Sequence, residues 1–217
     1  MLMREERELV RVYGNRLIEA GLTTGTGGNI SVFNRERGLM AIKPSGIDYL
    51  DIRAEDVAIM DLNGNQVDGS KAPSSEYEMH SIFYRNRTDV NAVVHTHSRY
   101  STTIACLKWE IPSLHYLVAF AGEKVPCAEY ATYGTKELAE NAYRAMNTKY
   151  NATLLANHGL LAVGRDIGIA FAVTEQIEFC AELYYRTKCI GEPVLLSSAE
   201  MERVGEKFST YGQPRKV

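Results

Sequence analysis

The chain has 217 residues, of which 45% are hydrophobic, 24% charged and 9% aromatic, the make-up of an ordinary folded domain rather than a disordered or collagenous one. Its net charge of -3 excludes the strongly basic face that broad nucleic-acid binding requires, so an anionic ligand has to be held by local devices. No stretch reaches the ~18 consecutive apolar residues of a membrane span, and a chain of this length buries enough surface to fold without a staple, which makes any metal chemical rather than structural.

The first helix is predicted over residues 5 to 20, where Leu9, Val10, Tyr13, Leu17 and Ile18 recur at helical spacing before Gly21. No apolar signal core precedes it, so a cytoplasmic protein is expected. The glycine-rich run Gly25-Thr26-Gly27-Gly28-Asn29 leads into a strand over residues 30 to 33, which pairs with residues 39 to 43. Residues 57 to 62 form a further strand, stopped by Asn63-Gly64-Asn65. Pro73-Ser74-Ser75-Glu76-Tyr77-Glu78 reads as a helix start with Ser75 as N-cap and Glu78 completing a capping box.

A short buried strand is predicted over 91 to 95, a helix from near Ser98, and another over 135 to 150. Residues 152 to 163 read as two strands broken at Asn157-His158-Gly159, followed by helices over 167 to 190 and 197 to 208. No repeat or linker interrupts the pattern. The expectation is one α/β domain over residues 1–217, with a central mixed, largely antiparallel sheet covered by helices on both faces. Cys106, Cys180 and Cys189 fall in apolar helical stretches and are expected as buried, reduced thiols; the four cysteines show no CxxC spacing.

Two of the five histidines form His95-Thr96-His97 at a strand end. Side chains at i and i+2 share a face, so both imidazoles can reach one metal ion, or both can instead bond to nearby backbone. His158 sits at a tight bend, as a turn residue or as the third imidazole of a site with an open coordination position. Glu76 either complements the helix dipole or serves chemistry. Ser74 and Ser75 beside free helix N–H groups suit a phosphate. The glycine run lacks both GxGxxG and the P-loop lysine, which disfavours nucleotides, yet its amides can wrap a single phosphate. Lys43-Pro44-Ser45-Gly46 is a second polar turn, compatible with an anion or with an ordinary turn.

Together these segments resemble the class II, zinc-dependent sugar-phosphate aldolase and epimerase family over nearly the whole chain. The carrying residues run from Gly25-Thr26-Gly27-Gly28-Asn29 through Lys43-Pro44-Ser45-Gly46, Pro73-Ser74-Ser75-Glu76, His95-Thr96-His97, His115-Tyr116 and Tyr130-Ala131-Thr132-Tyr133-Gly134-Thr135 to Asn157-His158-Gly159 and Thr210-Tyr211-Gly212. Within the family the segments are most similar to the L-fuculose-1-phosphate aldolases. The stretches Glu36-Arg37-Gly38, Lys43-Pro44-Ser45-Gly46 and His95-Thr96-His97-Ser98-Arg99 look as much like the L-ribulose-5-phosphate 4-epimerases, although Glu76 stands where those usually carry Asp.

The resemblance implies that His95, His97 and His158 hold one Zn2+ per subunit, with Glu76 as a further ligand that swings off to act as the base. It implies phosphate binding by Gly28, Asn29, Ser45, Gly46, Ser74 and Ser75. It also implies a homotetramer with active sites between subunits, where Tyr116 of the neighbour acts on the aldehyde oxygen and Tyr133 and Tyr211 lie near the aldehyde. The implied reaction is reversible cleavage of L-fuculose 1-phosphate to dihydroxyacetone phosphate and L-lactaldehyde; the alternative is pentulose-phosphate epimerisation or another sugar-phosphate cleavage. No nucleic-acid or membrane partner is expected. A non-catalytic scaffold like the adducin head domain would lack the histidine set, and a zinc hydrolase has no His-Glu-x-x-His helix in its favour.

Overall fold

Alternating apolar residues in the first third of the chain build a hairpin on which the rest of the sheet grows. The structure is a computed structural model that describes residues 1–210. Its elements are α1 (Arg4–Glu19), β1 (Asn29–Asn34), β2 (Leu39–Ile42), β3 (Ala58–Asp61), β4 (Gln66–Asp68), α2 (Tyr77–Asn86), β5 (Ala92–Thr96), α3 (Arg99–Cys106), β6 (Cys127–Ala128), α4 (Lys136–Met146), β7 (Ala152–Leu155), β8 (Gly159–Gly164), α5 (Ile167–Ile190) and α6 (Ser198–Thr210). The eight strands form one sheet in the order β4-β3-β2-β1-β5-β8-β7-β6. Every neighbouring pair is antiparallel except β6 with β7.

Period-2 alternation splits the strands cleanly between two faces. Met40, Ile42, Ala58, Met60, Val93, Leu161 and Val163 turn toward α2 and α4, where Phe83, Leu138 and Ala142 cover them. On the opposite face, Ile30, Val32, Ala41, Ile59 and Val94 pack beneath α1 and the start of α5, while Leu154, Leu160 and Ala162 pack with Ile104 of α3 and Ile177 of α5. The expected sheet with helices on both faces is therefore present, and its central strands are dry on both sides.

Local departures from the sequence reading have identifiable causes. Helix α2 starts at Tyr77, and Glu76, at φ -97° and ψ 18°, is the residue before it, with no side-chain cap bond. The Ser75 capping box does not form: Glu78 pairs instead with Arg85 at 2.5 Å, and the Ser74 hydroxyl accepts from the Glu76 N–H at 3.3 Å. Competition from tertiary hydrogen bonds in the preceding loop, where Ser74 N–H donates to Lys43 O at 3.0 Å, moves the start of the helix. Helix α4 ends at Met146 because Asn147 adopts φ 48°. Of the helical cysteines only Cys180 is buried; Cys106 and Cys189 lie on exposed faces of α3 and α5. Strands β4 and β6, three and two residues long, are too short for periodicity to reveal. Among the described residues no helix is long and apolar enough to cross a membrane.

Candidate metal centre and active site

The site lies where β1, β5 and β8 meet the start of α2. Antiparallel pairing sets Asn29 opposite His95 and His95 opposite Leu161, so that His95, on the same face as Val93, points toward α2. His97 follows two residues later on that face, beyond the strand end. The third imidazole arrives through the β7–β8 turn, where Asn157 adopts φ 54° and the His158 N–H bonds to Leu155 O at 3.0 Å. That turn fits only because residue 159 is glycine. A Cβ there would stand 2.3 Å from Thr96 O and 3.3 Å from His95 Cε1. Gly28 is constrained likewise, with φ 68° and its Cβ position 2.4 Å from His95 O.

One ligand nitrogen from each of His95, His97 and His158 lies within 4.8 Å of the others, among residues graded from buried His95 to exposed His97. His95 donates Nδ1–H to Leu160 O at 2.9 Å, which leaves a lone pair on Nε2. That Nε2 faces His97 Nε2 at 3.1 Å. Glu76 closes the fourth side, with Oε2 3.5 Å from His95 Nε2 and Oε1 3.5 Å from His158 Nε2. Although buried, Oε1 has no hydrogen-bond partner. Lone pairs converging from neutral imidazoles beside an unpartnered buried carboxylate oxygen form a donor set that a divalent cation fits.

Electrostatics favour the unprotonated imidazoles. Burial, then the neighbouring His158 and His97, hold His95 well below the ordinary histidine value. Burial and His158 lower His97, and burial lowers His158 against the opposing pull of Glu76. A metal therefore meets little proton competition near neutrality.

Three loops are knitted together beside this cluster. Ser45 N–H donates to Ala72 O at 2.9 Å and Ser74 N–H to Lys43 O, while Pro44 bridges to Pro73. The glycine-rich loop before β1 is joined to them at Thr26 through Lys43, whose Nζ donates to Thr26 O at 3.3 Å and Pro44 O at 3.2 Å. Gly134 approaches closely enough that a Cβ would lie 3.1 Å from Ser75 O. The structure thus brings Gly28, Asn29, Ser45, Gly46, Ser74 and Ser75 into one region, with Tyr133 exposed on the neighbouring loop. It does not bring Tyr116 there within one chain. Tyr116 opens a 3-10 turn whose Leu117 and Val118 belong to the cluster on the opposite face of the sheet, and its ring packs on His115 and Phe208. Tyr211 lies outside the described residues.

Two further contributors emerge: Glu178, with no local signal, and the side chain of Lys43, which the sequence offers only as the first residue of a polar turn. Lys43 is a buried cation in the centre of the loop cluster, stacked 4.7 Å from the Tyr49 ring, and burial lowers its pKa to about 8 despite Asp48. A lysine ending the apolar run Leu39–Ile42 was the available signal. Glu178 of α5 accepts from Ser98 Oγ and from the N–H groups of Tyr100 and Ser101 at 2.7, 2.8 and 2.9 Å, pinning the chain that follows His97. At a separation of 80 residues from Ser98 it left no local signal.

An α/β sheet carries a histidine triad and a carboxylate at the junction of its central strands, a donor set that fits a divalent cation, flanked by glycine and serine loops that suit an anion. Residues 7–185 match the family described as Class II Aldolase and Adducin N-terminal domain, and the chain belongs to it. It is 55% identical over 213 residues to the 5-deoxy-D-ribulose 1-phosphate aldolase of Bacillus thuringiensis serovar kurstaki, covering 98% of this chain and 100% of that protein. It is 42% identical over 194 residues to the L-fuculose phosphate aldolase of Escherichia coli K12, covering 88% of each. A solved L-fuculose 1-phosphate aldolase superposes with a TM-score of 0.94 at 50% identity, covering 96% of this chain and 98% of that one. The protein is a class II aldolase-family lyase.

Proposed function

We propose that the protein is a zinc-dependent aldolase that reversibly cleaves a methyl-terminated ketose 1-phosphate to dihydroxyacetone phosphate and a short aldehyde. The observation that carries this is the Glu76 carboxylate beside three convergent imidazoles, with Oε2 3.5 Å from His95, Oε1 3.5 Å from His158, and Oε1 buried without a hydrogen-bond partner. The similarity to a 5-deoxyribulose-1-phosphate aldolase over the full length of that relative favours 5-deoxyribulose 1-phosphate, whose cleavage releases acetaldehyde. L-fuculose 1-phosphate, which would release L-lactaldehyde, is the substrate suggested by the second group of relatives. Both substrates present the same dihydroxyacetone phosphate half to the site, and they differ only in the aldehyde half.

His95, His97 and His158 would hold the ion, with Glu76 as a further ligand that can also serve as the base. When bound, a divalent ion there stabilises the negative charge that develops on the ketone and hydroxyl oxygens as the C3–C4 bond breaks. The phosphate rests on Gly28, Ser45, Gly46, Ser74 and Ser75, near the Lys43 ammonium. Asn29 gives one Nδ2 hydrogen to Glu76 at 2.8 Å, which leaves the other for a ligand oxygen. In cleavage, Tyr116 from a second copy takes the proton of the C4 hydroxyl, the C3–C4 electron pair stays with the three-carbon half, and Glu76, protonated for this step, delivers its proton to C3 and is left ionised. In synthesis Glu76 removes that proton. Tyr116 lies across the sheet from the histidines in its own chain, which supports a site shared between subunits of a homotetramer, with Tyr133 and Tyr211 on the aldehyde side. A cytoplasmic location accords with phosphorylated substrates.

The test is a coupled assay of dihydroxyacetone phosphate released from each ketose 1-phosphate by zinc-loaded and chelator-treated protein. Zinc-dependent release with a higher kcat/KM for 5-deoxyribulose 1-phosphate supports the reading. Interconversion of L-ribulose 5-phosphate and D-xylulose 5-phosphate without release would transfer the same site to epimerisation.

A further inference from the structure

Behind Glu76, a buried polar chain runs from Asn29 between β1 and α2 into Ser31, His80 and Tyr84, which the proposed chemistry leaves unused. Asn29, Ser31, His80 and Tyr84 are each no more than 3% exposed. Asn29 Nδ2 lies 2.8 Å from Glu76 Oε2, Asn29 Oδ1 contacts His80 Nε2, His80 Nδ1 lies 2.6 Å from Ser31 Oγ, and Ser31 Oγ lies 2.6 Å from the Tyr84 hydroxyl.

The direction of every proton in this chain follows from the carboxylate outward. An ionised Glu76 only accepts, so Asn29 must present its NH2 to Oε2 and its carbonyl oxygen to His80. His80 Nε2 therefore carries a hydrogen. In the neutral ring Nδ1 is then an acceptor and takes the Ser31 O–H, and Ser31 Oγ accepts in turn from Tyr84, whose hydroxyl also lies 3.2 Å from Ser31 O. Burial keeps His80 neutral, with a pKa down to about 3. A flipped Asn29 would set its carbonyl oxygen against the Glu76 carboxylate, acceptor against acceptor, and would turn the carboxylate out of its present orientation.

We propose that His80 is a positioning residue for proton transfer: its Nε2–H locks the Asn29 amide with Nδ2 toward Glu76 Oε2, and so fixes the carboxylate with Oε2 beside His95 and Oε1 beside His158. The inference rests on Glu76 being the base. It predicts that a group replacing Nε2 suffices, while one replacing only Nδ1 does not.

Two amide variants separate these positions, because His80→Gln places an N–H near the Nε2 position and His80→Asn reaches only the Nδ1 position. The readouts are kcat and KM, zinc content, thermal stability, and exchange of the C3 hydrogen of dihydroxyacetone phosphate into D2O. The expected result is kcat and exchange within about fivefold of wild type for His80→Gln and a loss of about thirtyfold or more for His80→Asn, with KM within about twofold and full zinc content in both. Wild-type kcat in His80→Asn, or equal losses in both variants in step with thermal stability, would overturn the proposal.

If neither variant folds, the ring-nitrogen NMR shifts of 15N-histidine-labelled wild-type protein decide, since only five histidines contribute. A neutral Nε2–H tautomer at His80 supports the lock, and the Nδ1–H tautomer or an imidazolium overturns it. Wild-type protein that exchanges the C3 hydrogen but cleaves no ketose 1-phosphate overturns the aldolase reading alone; the absence of exchange overturns both.

Discussion

Glu76 Oε1 stands 3.5 Å from His158 Nε2 without a hydrogen-bond partner, while the other oxygen of the same carboxylate accepts 2.8 Å from Asn29. Each oxygen stands 3.5 Å from an imidazole nitrogen, Oε1 from His158 and Oε2 from His95, but only Oε2 is anchored by an amide. That asymmetry suits a group that serves as a ligand in one state and moves a proton in another.

Replacing Glu76 with Gln keeps the volume and removes the exchangeable proton site. Turnover should fall by about 10²–10⁴-fold, the usual contribution of a positioned acid–base group. Zinc content should stay near one per subunit, since three imidazoles remain. A variant that retains full kcat would remove Glu76 from the mechanism, whereas loss of zinc would make it chiefly a ligand.

Acid should release the metal only below the ordinary histidine range. Because the folded values of His95, His97 and His158 lie below 6.5, protons compete weakly until the pH falls beneath that value. Zinc retention measured after gel filtration across a pH series should therefore show a midpoint under pH 6.5. Chelation at neutral pH should lower Tm, because an ion that binds only the folded chain stabilises it by mass action. Half-release above pH 6.5 would contradict the unprotonated triad.

Gly28→Ala should cost about 1–3 kcal/mol, through a left-handed backbone and overpacking against a neighbouring strand. The clash falls on His95 O, so the imidazole of His95 shifts with it. Urea unfolding should show the lost stability, and zinc titration a weakened affinity in the same variant. Unaltered zinc affinity would uncouple the glycine loop from the metal cluster.

Lys43 makes a signed prediction about pH. Its folded value, about 8, lies below the ordinary 10.5, so between those values the unfolded chain holds a proton that the folded chain has released. Stability at this site therefore rises as pH climbs through that window, and the full penalty of the buried charge applies below it. Lys43→Met lacks the titration, so its stability advantage over wild type should shrink from pH 8 toward 10.5. A difference in urea midpoints that stays constant or grows across that range would refute the buried cation.

Much of the site was legible because its signals are local. Strand alternation alone puts His95 and His97 on one face, and Asn157-His158-Gly159 reads as a tight bend between two strands. The Ser75 cap was misread for a complementary reason: a capping box is a local motif, and the N–H of Ser74 and the side chain of Glu78 found partners in Lys43 and Arg85 instead. Glu178 leaves no local signal because its partners lie 77 to 80 residues away, and the polar turn Lys43-Pro44-Ser45-Gly46 does not reveal that the Lys43 side chain is buried.

By itself, the sequence determined the helices, the longer strands, the family likeness and the two-histidine face, because periodicity and turn chemistry act over a few residues. Only the tertiary structure decided that His158 meets His95, that Asn29 stands between Glu76 and His80, and that Tyr116 lies across the sheet from the metal cluster. Those relations depend on β1–β5 and β5–β8 register and on helix packing, which are set by burial of whole faces between distant segments and leave no periodic trace in the chain.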